Sequence, residues 1–211
     1  MSYVRPLDAG LNAMSGTLLQ MADLAERTVE ASISAAAQGG RLGAQVRVWS
    51  NELQGRYDDV EEKAVELIAR YQPVASDLRV IKSNMKIAYD LARLGRYAYD
   101  IVQVLDLVNG GKAADKVFLQ EISEKVLNMM RLSFETLRTH DVQVARRLVE
   151  MDSEVDRLYR GYLKGVLDNP SLGTAEAVST ALIARHLERI ADHAWYIAQA
   201  ISYMVTGSYT V

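Results

Sequence analysis

The sequence predicts an all-α fold: two tandem three-helix bundles related by an internal repeat, six long antiparallel helices in all. Two observations predict it. Apolar residues recur at alternating steps of three and four through most of the chain, the stripe of an amphipathic helix, and strand-type alternation is scarce. The longest stripe also occurs twice. Ile87, Leu91, Leu94, Ala98, Ile101 and Leu105 return 96 residues later as Ile183, Leu187, Ile190, Ala194, Ile197 and Ile201, with Arg93 matched by Arg189. A match in phase over five turns marks a duplicated unit. The halves divide at 1–110 and 111–211.

The helices follow in order. The first opens after Asp8 on Leu11, Met14, Leu18, Met21 and Ala25 and runs to about Ala37. Gln38-Gly39-Gly40 stops it, because glycine takes the left-handed backbone a helix end needs. The second spans about Leu42 to Arg70, with Leu53, Tyr57, Val60, Ala64, Leu67 and Ile68 inward, and Pro73 ends it. Ser76 is the expected N-cap of the third, with Asp77 in its first turn. That helix reaches Leu107, about 45 Å, and Asn109-Gly110-Gly111 breaks it.

The second half begins near Asp115. Its first helix uses Leu119, Ile122, Val126, Met129, Met130 and Leu137, and His140-Asp141 makes the turn with Asp141 as cap. The next runs from Val142 to Leu167 on Leu148, Val155, Tyr159, Tyr162 and Val166. Asn169-Pro170 and Gly173 form a loop, Thr174 is the expected cap of the last helix, and Gly207 stops that helix after Thr206. Loops this short favour antiparallel neighbours. The methionines and tyrosines on these stripes read as core.

Composition narrows the chemistry. A net charge of −3 gives no electrostatic case for nucleic-acid binding. The lack of cysteine excludes disulfides and thiolate metal sites. No apolar run approaches transmembrane length, and Met1 to Gly10 does not read as a signal peptide, so a cytoplasmic protein without membrane insertion is expected. No P-loop, no H-E-x-x-H and no Ser–His–Asp order is present, and nothing nominates a nucleophile.

One constellation stands out. In Arg185-His186-Leu187-Glu188-Arg189-Ile190-Ala191-Asp192-His193, the acids Glu188 and Asp192 stand one turn apart, nearly opposite the apolar stripe. Asp152 and Asp156 repeat that spacing on the preceding helix. If the two helices are neighbours, four carboxylates converge. They repel unless a cation or protons intervene. Oxygen-only ligands suit hard cations such as magnesium, calcium, manganese or iron. His186 and His193 share a face well away from the acids and read as boundary residues; His140 is isolated in a turn.

Three stretches resemble the PhoU family of phosphate-transport regulators. Gln72-Pro73-Val74-Ala75-Ser76-Asp77-Leu78-Arg79 is similar to its inter-helix signature, Arg185 to Ala194 to its second signature, and Asp152 to Tyr159 to its acidic helix. The resemblance implies a non-enzymatic cytoplasmic regulator. It would damp phosphate uptake and repress the starvation response by contact with the ATPase subunit of the phosphate ABC transporter, its sensor kinase, or both. A homodimer is a further candidate assembly. It implies metal at acid-x-x-x-acid motifs, here Asp152, Asp156, Glu188 and Asp192, with iron, manganese, magnesium or zinc as the candidate ion. The first repeat departs from the pattern, with Ser50, Gln54, Ala92 and Arg96 at the equivalent positions and Asp100 and Tyr196 where the family has asparagine. Two other classes fit the residues: a metal-dependent carboxylate-bundle enzyme, though without histidine ligands, and a metal-free helical adaptor.

Overall fold

A computed structural model describes residues 5–38, 43–108, 115–169 and 172–209, with the side chains of residues 38 and 145 left aside. Six helices make up these residues: α1 Pro6–Gln38, α2 Gly43–Tyr71, α3 Ala75–Leu107, α4 Lys116–Thr139, α5 Val142–Asp168 and α6 Thr174–Thr206. Among the described residues no strand is present. The glycine pairs at 39–40 and 110–111, Leu42 and Pro170 lie outside them, as does the expected boundary near residue 110.

α1, α2 and α3 pack on one another, and α4 and α5 pack on each other and on α6. The two repeats meet chiefly through α3 against α6, with α1 against α4 beside it. The helices that carry the duplicated stripe therefore face each other across the molecule. Ile87, Leu91, Leu94, Ile183, Leu187 and Ile190 are all buried in one core shared by both repeats.

The helix ends follow local chemistry. α1 starts at Pro6, earlier than the sequence suggests, because proline in the first turn gives up only an N–H that has no partner there. Asp141 caps α5 as expected, its carboxylate accepting from the Gln143 amide at 2.9 Å. Gly207 ends α6 with φ +80°. Two expected caps are corrected. α3 begins at Ala75 with Val74 as N-cap, so Ser76 already lies inside the helix and caps nothing. The N-cap of α6 is Gly173, which makes Thr174 the first helical residue. Asp141→Ala is accordingly expected to cost about 1 kcal/mol, or about 2–4 °C in melting temperature. Ser76→Ala should stay within about 0.5 kcal/mol. Equal losses from the two, read by thermal unfolding, would contradict this placement of the caps.

Gly95 sets how closely α2 meets α3. A Cβ there would run into Leu53 and stand 3.4 Å from the Ser50 Cα. The 96-residue repeat puts Ala191 at the matching place on α6.

Candidate metal-binding face

The site builds from α5 and α6, which pack side by side. α5 brings Asp152 and Asp156, and α6 brings Glu188 and Asp192. The four acids do share a neighbourhood, since they act on one another electrostatically. Burial pushes the Asp152 carboxyl up to about 6, and the negative charges of Asp192 and Asp156 add to the rise. Glu188 and Asp192 are also raised, each chiefly by burial. For Glu188, Asp192 adds to the rise while Arg185 and Arg189 oppose it.

The sequence-based placement of Glu188 on an open face needs correction. Its exposure is only 8%. α6 is packed by α3, α4 and α5, so the side away from its own stripe also meets protein. Glu188 Oε1 accepts from Arg185 at 2.6 Å, while its Oε2 is buried without a hydrogen-bond partner. Arg189 stands 3.7 Å from that oxygen, short of a hydrogen bond, and donates to Asp192 at 2.9 Å. Asp156 accepts from Arg160 at 2.9 Å. Three of the four acids thus hold arginines of their own helix, and only Asp152 forms no ion pair among the described residues.

Among the described residues no three His, Asp or Glu side chains are gathered as a ready-made metal site. The donor set nevertheless fits a hard cation. It offers carboxylate oxygens alone, one of them buried and unsatisfied, and an acid whose charge burial and like charge disfavour. A cation would answer both needs, although three of the four acids are paired with arginines.

Among the described residues the matching positions of the first repeat offer nothing comparable. Ser50 is buried against Gly95, and Ala92 is buried. Gln54 donates to Asp58 at 3.0 Å, and Arg96 pairs with Asp100 at 3.0 Å.

One group escaped the sequence reading. His193, expected at the boundary of the apolar stripe, is 8% exposed and bonds through Nδ1 to Asp90 Oδ1 at 2.8 Å. Asp90 is wholly buried and accepts also from Lys86 at 2.8 Å. Tyr97 and Tyr196 pack around the imidazole. The signal was available: Asp90 follows Ile87 by three on the buried stripe, where an acid needs a partner. This bond ties α3 of the first repeat to α6 of the second, one residue from Asp192. His186 is half-buried against Tyr97.

A family model described as "PhoU domain" matches residues 18–105 and again 119–201. A "phosphate-specific transport system accessory protein PhoU homolog" of Pseudomonas putida is 31% identical over 209 residues, covering 95% of this chain and 81% of that protein. One of the same description from Clostridium acetobutylicum is 27% identical, covering 95% and 94%. The crystal structure of PhoU from Pseudomonas aeruginosa matches with a TM-score of 0.86 at 30% identity, covering 95% of this chain and 99% of that one. The phosphate transport system regulatory protein PhoU from Streptococcus pneumoniae gives a TM-score of 0.86 at 20% identity, over 97% and 99%, which bears on the fold alone.

Proposed function

The chain belongs to the PhoU family, and on that premise we propose that it is an accessory regulator of phosphate transport and phosphate-starvation signalling that works by protein–protein contact. One observation carries the reading: the family's domain matches twice and spans most of the chain. The relatives are named as accessory proteins of a transport system, and this chain is not an enzyme. Among the described residues no helix is long and apolar enough to cross a membrane. The transporter's ATPase subunit and the sensor kinase, both reached from the cytoplasm, are the proposed partners.

Asp152, Asp156, Glu188 and Asp192 would hold iron, manganese, magnesium or zinc. A bound cation supplies positive charge that cancels the mutual repulsion of the acids. The residues that would hold it lie on α5 and α6, beside His193, whose bond to Asp90 joins the repeats.

A deletion strain tests the reading. At high external phosphate it is expected to express starvation genes and to take up phosphate faster than its parent. Wild-type uptake together with wild-type repression would refute the regulatory role.

A further inference from the structure

We propose that Arg79 and Lys82 form a binding site for a phosphate-type oxyanion, where the start of α3 meets the end of α6. Arg79 is half-buried against the Gly207 turn, where a Cβ would lie 3.9 Å from its guanidinium carbon. Its Nε–H is buried and has no hydrogen-bond partner among the described residues. A buried guanidinium donor left unmade is costly, so the geometry calls for an acceptor.

Lys82 stands three residues on, one turn along the same face. Its ammonium lies 4.8 Å from the Tyr203 ring and 5.7 Å from that of Tyr209. Those two rings stack 4.2 Å apart and 3° from parallel. No acid neutralises this pair of cations among the described residues. The α3 acids that form ion pairs use other partners: Asp77 takes Arg5, Asp90 takes Lys86 and His193, and Asp100 takes Arg96.

The remaining features suit the same ligand. An open cavity of about 390 Å³ separates Ala75, Leu78, Arg79, Lys82, Tyr203 and Gly207. α3 starts without a side-chain cap, and Arg5 pairs with the first-turn Asp77, so the positive dipole end of the helix adds to the field. A guanidinium fork beside an ammonium suits a tetrahedral dianion, which takes two parallel N–H bonds and a point charge. The site is confined to the first repeat, because Ala175 and Val178 stand 96 residues on. It lies apart from the acid face, so its failure would leave the regulatory reading standing, and the reverse also holds.

The test titrates inorganic phosphate into the full chain at low salt, followed by calorimetry and by backbone amide shifts. Saturable binding with shifts centred on Gly207 and Tyr203 is expected. The double variant Arg79→Gln, Lys82→Gln should weaken it by about ten-fold or more. Lys63→Gln, a cation removed from α2, should leave it within about two-fold. Lys82 is exposed, so Lys82→Gln alone keeps the test if the Arg79 variant does not fold. Sedimentation with phosphatidylglycerol vesicles and not with phosphatidylcholine, lost in the same variants and without saturation by free phosphate, assigns the group to a lipid headgroup. Saturation by free phosphate assigns it to the free anion. Binding to neither, or equal weakening by Lys63→Gln and Lys82→Gln, overturns the site.

Discussion

Replacing Asp90 by alanine is expected to destabilise the protein by about 3 kcal/mol. For a chain of this size that lowers the melting temperature by roughly 6–12 °C. The carboxylate is wholly buried and accepts two hydrogen bonds, from Lys86 and His193. Alanine strands His193, which is nearly as buried, but Lys86 is 44% exposed and can turn to water. The loss therefore belongs at the low end for a broken buried pair. The buried, unpartnered Oδ2 of Asp90 tempers it further, since wild type already carries that cost. Asp90→Asn should lose less, because its amide oxygen still accepts from the imidazole. The pair spans the α3–α6 contact, so Asp90→Ala combined with His193→Ala should cost less than the sum of the two. Urea unfolding of the four proteins measures this coupling. A change below about 1 kcal/mol for Asp90→Ala would reduce the pair to an incidental contact.

The fold was legible because each helix repeats its stripe over many turns, and because the α3 stripe recurs in α6. Helix ends were legible where one side chain decides them. Asp141 reaches the Gln143 amide, and Gly207, as a glycine, takes a left-handed backbone without strain. Ser76 misled because the Pro73 loop decides instead. Gln72 and Ala75 both hold positive φ, at 46° and 44°, and the Asp77 amide donates to the Val74 carbonyl at 3.1 Å, so the first turn closes on Val74 and not on the serine.

The acid cluster was legible as a spacing and illegible as an environment. A helical angle places Glu188 relative to its own stripe only. It carries no information on how α3, α4 and α5 together surround α6, where the residue is buried. The same limit hid Asp90 and His193. Each lies on a helix read by itself, whereas their bond joins residues 103 apart in sequence.

Metal binding at the second repeat alone is the other large effect expected. Glu188→Ala with Asp192→Ala should lower affinity for manganese or iron by at least about 100-fold, while Asp58→Ala with Asp59→Ala should leave it unchanged. The first repeat cannot compensate. A cation about 4 Å from a guanidinium would meet several kcal/mol of repulsion even at an effective dielectric of about 20, and Arg96 occupies the place of Asp192 there. The metal-free protein supplies an independent sign. Asp152 titrates near 6 when folded, against an ordinary value of 3.8. Between those pH values the folded chain holds more protons than the unfolded one, so stability falls as pH rises from about 4 to about 6. Asp152→Asn removes that loss. In chelator at pH 7.5 it should be more stable than wild type by about 1 kcal/mol, a figure discounted because the carboxyl is only partly buried. Saturating manganese should reverse the order, since the ion stabilises whichever chain binds it more tightly. Thermal unfolding with chelator and with manganese, across pH 4 to 8, reads both effects. A destabilised Asp152→Asn in chelator, or anomalous density beside Arg96 and none beside Asp192, would move the site away from these four acids.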